Sequence, residues 1–149
     1  MKTKEIANQE FFSLMEQVID DSGKVRFRVK GVSMQPLLRN NRDEVLLSKL
    51  GSRTPQIGDI CLFKFNGHYI LHRFMSRKGD ILYMRGDNVL GNFEWCKLED
   101  VVGIVDVVYR GQKEISPHSV FWHYLTLVHR FKGMIIRPLI GVLHRLRSM

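Results

Sequence analysis

Residues 59–74 read DICLFKFNGHYILHRF, and this stretch decides the class of fold. Two short apolar runs flank Asn66-Gly67, a dipeptide that favours the tight turn of a β-hairpin. Further short runs rich in Val, Ile, Leu and Phe lie at 25–29, 44–50, 81–84 and 101–108, separated by turn-forming residues. The pattern predicts a mainly β fold, coiled into a compact, barrel-like sheet.

Helical periodicity is confined to the two ends of the chain. Apolar residues recur at three-to-four spacing near the start, namely Ile6, Phe11, Leu14, Met15 and Val18. They predict an amphipathic helix over residues 3–20. Residues 119–146 carry a second apolar stripe, which Pro138 interrupts because it removes a backbone donor. We therefore expect an N-terminal helix (1–24), a β domain (25–118) and a basic amphipathic helical tail (119–149).

The positive charge of the chain is concentrated in that tail. The formal net charge of the 149 residues is +8, and residues 119–149 hold five Lys and Arg but no Asp or Glu. The tail could pack on the β domain, or adsorb to an anionic membrane surface or a partner with its apolar stripe buried. Nucleic acid is the least favoured partner, because the stripe is too apolar and no recognition element accompanies the charge.

Several classes of protein are excluded by composition. No window approaches the roughly 18 apolar residues of a membrane-spanning helix, and the first ten residues lack the apolar core of a secretory signal. Cys61 and Cys96 have no neighbours at zinc-ligand spacing and cannot form a disulfide framework. We expect a cytoplasmic protein without metal or cofactor, able to lie at the inner face of the membrane. Its oligomeric state is not indicated.

Three residues could form a catalytic group: Ser33, His72 and Asp87 lie in this order, each at a predicted strand end or turn. A serine hydroxyl needs a base to take its proton and fixed dipoles to hold the oxyanion. Histidine commonly supplies the base, and a carboxylate can fix its tautomer. By residue type alone each has an ordinary alternative: a turn serine, a packed strand histidine, and an aspartate that caps a turn.

A resemblance favours the catalytic interpretation. Five short motifs occur in order over residues 25–108: Ser33-Met34-Gln35-Pro36, Gly58-Asp59-Ile60, Leu71-His72-Arg73, Arg85-Gly86-Asp87-Asn88, and the stretch from Trp95 that ends in Val101-Val102-Gly103. Together they resemble the motifs of type I signal peptidases and the related autoproteolytic repressors of the LexA type. The histidine motif is closest to the endoplasmic-reticulum and archaeal signal peptidases, since the bacterial enzymes and the repressors use lysine there.

The resemblance implies a mechanism and a substrate. Ser33 is the implied nucleophile, His72 the general base and then acid, and Asp87 the carboxylate partner, with the Ser33 backbone N–H in the oxyanion hole. The family binds its substrate as an added β-strand and cleaves after small residues at the first and third positions before the bond. Val32 and Met34 would border the substrate groove. Pro36 would fix the turn that presents the serine.

The chain also departs from the family. Gly31 offers no side-chain donor to the oxyanion hole, no membrane anchor precedes the motifs, and no further Asp follows Asp87 before Asp100. Either Asp87 alone orients the histidine, or Asn92 or Glu94 contributes, or the site is a Ser–His dyad. We expect a serine endopeptidase that cleaves leader or signal peptides. The alternatives are an inactive peptide-binding or regulatory module and an autoproteolytic repressor-like domain.

Overall fold

A computed structural model of the chain describes residues 8–31, 33–35, 38–89, 91–119, 127 and 131. It is mainly β, as predicted, with one helix before an antiparallel sheet of eight strands. The elements are α1 (Asn8–Ser22), β1 (Lys24–Arg28), β2 (Asp43–Ser48), β3 (Ile60–Phe65), β4 (His68–Lys78), β5 (Ile81–Arg85), β6 (Glu94–Lys97), a 3-10 turn (Leu98–Asp100), β7 (Val101–Arg110) and β8 (Lys113–Ile115). The strand order is β1-β2-β7-β3-β4-β5-β6, and β8 pairs with β7.

The central hairpin forms where the sequence predicts it. Phe65 pairs with His68, and the two turn residues Asn66 and Gly67 both have positive φ, 48° and 76°. A two-residue turn of this kind matches the right-handed twist of the strands it joins, which explains the Asn-Gly dipeptide. The hairpin prediction is confirmed.

Helix α1 packs its inner face on β1 and β4, but the buried stripe differs from the one predicted. Met15 and Ile19 are buried and Phe11 and Phe12 pack beside them, whereas Leu14 and Val18 are about half exposed. The helix ends where the Gly23 N–H donates to the Ile19 carbonyl at 2.8 Å, with Gly23 at φ +80°. Residues 3–7 of the predicted helix lie outside the described residues.

Two hydrophobic clusters occupy opposite faces of β3. Ile60 and Leu62 belong to the cluster that α1 covers, whereas Cys61 and Phe63 belong to the other, and all four are fully buried. A strand buried on both faces has a continuous apolar sequence, as ICLF at residues 60–63 does. The strand that carries the candidate histidine, β4, is therefore held against the most buried part of the sheet.

The sheet is open, so the barrel-like part of the prediction is wrong. Its end strands β1 and β6 do not pair with each other among the described residues. Strand β4 is long: residues 68–73 pair with β3 and residues 73–78 with β5. The first half of β4 and the outer side of β1 therefore both have backbone groups that no neighbouring strand pairs.

The C-terminal tail predicted as helical over residues 119–149 lies outside the described residues, apart from Ser119, Leu127 and Phe131. Its helix therefore stays a prediction, as does the division of the chain into three segments. In the part of the chain that the structure describes, no helix has both the length and the apolar character needed to cross a bilayer.

Candidate active site

Ser33 lies in the connection between β1 and β2, and side-chain and backbone hydrogen bonds fix this connection. The Gly31 N–H donates to Asn40 Oδ1 at 2.9 Å, and the Asn41 N–H donates to the Val29 carbonyl at 2.8 Å. Gly31 has φ +96°, a conformation that favours glycine. Ser33 is partly exposed and lines a groove.

His72 lies on β4, and its side chain is only 7% exposed. Its Nδ1 is 2.9 Å from Oε2 of Glu94, the first residue of β6. Glu94 is paired with Met84 on β5, and its carboxylate reaches past the end of β5 to the ring. A carboxylate at Nδ1 favours the tautomer in which Nδ1 carries the proton and Nε2 is free to accept one.

Gly86 brings Ser33 and His72 together. A Cβ atom at Gly86 would lie 2.6 Å from the Ser33 carbonyl oxygen and 2.9 Å from His72 Nε2, both closer than real Cβ contacts. The same carbonyl accepts a hydrogen bond from the Asn88 N–H at 2.8 Å. The turn at 86–88 therefore holds the serine segment in place, and the ring nitrogen that points toward this segment is Nε2.

Asp87 is bound to Arg73 instead of to the histidine. Arg73 donates from Nε to Oδ1 at 2.8 Å and from Nη2 to Oδ2 at 2.7 Å, and Nη1 donates to the Gly58 carbonyl at 2.8 Å. The side chains of Arg73 and Asp87 are 6% and 0% exposed, so the pair is buried. The structure thus pairs His72 with Glu94, which the sequence indicated only as an auxiliary residue.

The other residues predicted for the site are Met34, Asn92, Val32 and Pro36. Met34 is buried, and its Sδ accepts a hydrogen bond from the Asp87 N–H at 3.5 Å. Met34 also lines the groove. Asn92 is exposed. Val32 and Pro36 lie outside the described residues.

A groove of about 920 Å³ is lined by Ser33 and His72 together with residues of β1 and of the first half of β4. Residues 26–31 form one side and residues 69–72 the other. Phe11 and Phe12 of α1 line it between the two strands. The contribution of α1 to this groove was not predicted, because helical periodicity reports only that one face of a helix is apolar.

The groove has one strongly perturbed titratable group. Burial and a hydrogen bond to Glu16 raise the pKa of Tyr69 to about 12, and the hydroxyl donates to Glu16 Oε2 at 2.7 Å. No group of three metal-ligating side chains occurs among the described residues.

Comparison with known proteins gives no further assignment. No protein-family model matches the chain, and no curated protein matches it. The resemblance to signal peptidases consequently stays a prediction from the five ordered motifs. What the structure adds is the spatial arrangement of three of them, since residues of the serine, histidine and Gly-Asp-Asn motifs are in contact.

Proposed function

We propose that this protein is a serine endopeptidase of the signal-peptidase type, which cleaves leader or signal peptides after small residues. The observation that supports the proposal most directly is the placement of His72. Its Nδ1 is held by Glu94 at 2.9 Å, while its Nε2 points toward the Ser33 segment at Gly86. A histidine held by a carboxylate at Nδ1, with Nε2 near the segment that carries a serine, is placed as a base in nucleophilic catalysis would be.

In the proposed reaction, Ser33 Oγ attacks the carbonyl carbon of the scissile bond while His72 Nε2 takes the hydroxyl proton. The Ser33 backbone N–H supports the oxyanion. When the C–N bond breaks, His72 returns the proton to the leaving amine. Water then attacks the acyl-enzyme ester, His72 takes a proton from it, and this proton passes to Ser33 Oγ as the new carboxyl product leaves.

Within this proposal the two acidic residues have different roles. Glu94 is the carboxylate that orients His72 and stabilises its charged form. Asp87 is a positioning residue: its ion pair with Arg73 holds the turn whose Asn88 N–H binds the Ser33 carbonyl. Both arrangements depend on short, direct contacts, so each role is separately testable.

The groove explains how a peptide would reach the site. The outer edge of β1 and the first half of β4 line opposite sides of it and have unpaired backbone groups. An extended peptide placed between them can accept and donate main-chain hydrogen bonds on both sides, as an added β-strand does. Such binding presents a peptide bond at the Ser33 end.

Cleavage of a peptide carrying Ala-x-Ala tests the proposal. Ser33→Ala and His72→Ala should each lower kcat/KM by at least about a thousandfold, because they act in one catalytic unit. Ser76→Ala and His68→Ala are matched controls, since both residues are exposed on the same strand, β4. Circular dichroism checks that all four variants fold. Cleavage by Ser33→Ala at the parent rate would contradict the mechanism.

A catalytically inactive peptide-binding module is the second candidate. The buried pairing of Asp87 with Arg73 favours it, because the acid that the family motif would use for catalysis serves the fold here. A serine-directed fluorophosphonate probe distinguishes the two candidates. The peptidase should be labelled at Ser33, and labelling should disappear in Ser33→Ala; a binding module should bind the peptide without any labelling.

We also propose that residues 119–149 attach the protein to an anionic membrane surface. Leu127 and Phe131, four residues apart, are 68% and 63% exposed, and the segment around them is basic. The parent protein should therefore float with vesicles that contain anionic lipid, and it should not float with neutral vesicles. The Leu127→Asp/Phe131→Asp variant of the full chain should stay in solution; unchanged flotation would contradict the proposal.

A further inference from the structure

We infer that the groove contains an anchor site, separate from the catalytic residues, for a bulky apolar side chain of the substrate. The site is an aromatic cup formed by Phe11, Phe12, Phe27 and Tyr69, which line the same groove as Ser33 and His72. The inference rests on the proposed peptidase function and names a second feature of its substrate. It concerns residues upstream of the small ones that the family motif implies.

The aromatic cup spans the gap between the two groove strands. Phe12 stacks on Tyr69 of β4, with ring centroids 5.4 Å apart, and meets Phe27 of β1 edge-to-face at 6.0 Å. Phe11 lies 5.4 Å from Phe12 and 6.4 Å from Phe27. Phe11, Phe12 and Tyr69 are only partly buried, so ring surface remains available to a ligand.

The polar atoms of the aromatic cup are already engaged. The Tyr69 hydroxyl donates to Glu16 Oε2 at 2.7 Å, and Lys64 Nζ lies 2.8 Å from the other oxygen of Glu16. The hydroxyl is therefore held against α1, and the rings offer apolar surface. Burial of an aliphatic or aromatic side chain on such surface is favourable, whereas a polar side chain would lose hydrogen bonds to water there.

The distance from Ser33 fixes which substrate residue reaches the cup. Phe27 precedes Ser33 by six positions, which an extended chain covers in roughly 20 Å at about 3.3 Å per residue. The turn at Gly31 shortens this path, so a substrate strand spans it in at most about six residues. Along β4 the path is shorter, because Tyr69 lies three positions from His72, roughly 10 Å. Alternate side chains of a strand share a face. The fifth residue before the cleaved bond therefore faces the same way as the first and third and lies within this path.

Charge on the other face of β1 adds a second requirement. Arg26, Arg28 and Lys30 alternate with buried residues and form a basic rim along the groove. Glu44 also lines the groove and lies 2.6 Å from Arg26 and 3.7 Å from Arg28, so three cations meet one acid there. Lys30 has no ion pair among the described residues. Same-face neighbours on paired strands interact directly. Acidic residues at the fourth or sixth position before the bond would therefore complement the rim.

The charge of the rim also argues against one other occupant, the basic tail of the same chain. Residues 119–149 hold five basic residues and no acidic ones, so they would be repelled by the rim. A substrate with acidic and bulky apolar residues has the opposite properties. We therefore assign the aromatic cup to the substrate, and the tail is an outcome that the experiment can detect.

Matched fluorogenic peptides test the inference. All carry Ala at the first and third positions before the bond. They differ by Phe or Ala at the fifth position, and by Asp or Lys at the fourth or sixth. The full-length protein should cleave a Phe peptide with kcat/KM roughly tenfold or more above the Ala peptide, the factor expected from burying one large apolar side chain. Phe12→Ala and the milder Phe12→Leu should reduce this preference. Leu14→Ala, on the exposed side of α1, should keep the preference for the Phe peptide.

Lys30→Glu tests the basic rim. This variant should reverse the preference between the Asp and Lys peptides.

A binding measurement separates failure of the inference from failure of the proposed function. Full-length Ser33→Ala is titrated with the same peptides, with fluorescence anisotropy as the readout. Phe-dependent binding that Phe12→Leu weakens supports the aromatic cup even if the parent cleaves nothing. Equal cleavage and equal binding of Phe and Ala peptides would overturn the cup and leave the peptidase proposal intact. Displacement of the Phe peptide by a synthetic peptide of residues 119–149 at lower concentration would also overturn it.

Discussion

Nδ1 of His72 and Oε2 of Glu94, 2.9 Å apart, connect the interior strand β4 to the edge strand β6. Strand β5 lies between these two strands in the sheet, and its pairing with β4 stops at Arg73. The contact between His72 and Glu94 therefore lies at the end of β5, where the pairing of β5 with β4 stops. The orientation of the candidate base consequently depends on a four-residue strand that is paired on only one side.

Loss of the Glu94 carboxylate should impair catalysis without unfolding the protein. Glu94→Gln keeps the size of the side chain but can no longer stabilise a charged imidazole, so kcat/KM should fall by at least about a hundredfold. The exposed Glu99→Gln is the matched control and should retain parent activity. Steady-state cleavage kinetics and thermal unfolding of both variants provide the measurement. Parent activity in Glu94→Gln would remove Glu94 from the mechanism.

Loss of the Asp87 carboxylate should instead destabilise the fold. The ion pair with Arg73 is buried, and removal of one partner leaves the other charge unpaired, at a typical cost of roughly 3–5 kcal/mol. Asp87→Asn should therefore lower the free energy of unfolding measured in urea. An Arg73→Met/Asp87→Leu double variant should be less destabilised than the sum of its single variants. Additive effects would show that the pair is not the cause.

Gly86→Ala should reduce activity by displacing two catalytic segments. The added Cβ would lie 2.6 Å from the Ser33 carbonyl oxygen, and this backbone atom cannot rotate away. Gly103→Ala is the matched control, because its Cβ would lie 2.7 Å from the Ser48 carbonyl, in another part of the sheet. Both should be less stable, but only Gly86→Ala should lose kcat/KM per folded molecule. Equal activity in the two variants would contradict the proposed contact.

The two thiols should be unreactive in the folded protein. Burial and the nearby Asp59 charge raise the pKa of Cys61 far above its usual range, and burial raises that of Cys96 to about 12. The thiolate is the reactive form, so iodoacetamide at pH 8 should modify both slowly. In urea both should react at the rate of a free cysteine. Rapid modification of the native protein would show that the cluster around Cys61 opens readily.

Asp106 should contribute stability that is lost in acid. Burial acts to raise its pKa, but hydrogen bonds from Ser48 and Arg53 and the Arg53 charge hold the pKa below its usual range. A carboxyl with a lowered folded-state pKa stabilises the fold above its unfolded pKa and loses this effect as pH falls through the folded value. The stability difference between parent and Asp106→Asn should therefore be largest near neutrality and shrink below about pH 4.

Urea unfolding at three pH values measures this difference. The exposed Asp21→Asn serves as the control, since it has no comparable hydrogen bonds among the described residues. A difference for Asp106→Asn that stays constant from neutral to acidic pH would contradict the assignment.

Local sequence patterns predicted most of the sheet but not its edges. The strands near 25–29, 44–50, 59–65 and 101–108 were predicted because each is a short segment rich in Val, Ile, Leu or Phe between turn signals. Strands β6 and β8 were missed. They have only four and three residues, and pairing with β5 and β7 stabilises them more than their own composition does. Such pairing is not visible in a local pattern.

The site was predicted in part for a similar reason. Ser33 and His72 lie in recognisable motifs, and the structure brings their segments together at Gly86. Sequence order favoured Asp87 as the acid because it lies in a motif. Which carboxylate meets the histidine, however, depends on the side to which each strand turns its residues. Glu94 faces inward with Met84, its cross-strand partner, and thus reaches the ring.

The alternating cations of β1 have a consequence for the solution behaviour of the protein. An unpaired strand edge readily pairs with the same edge of another molecule, which leads to self-association and fibrils. If two copies aligned along β1, the row of Arg26, Arg28 and Lys30 in one molecule would lie against the same row in the other. Like charges facing each other across strands are unfavourable. The basic rim can thus leave the groove open to a foreign peptide and discourage a second copy of the chain from entering it.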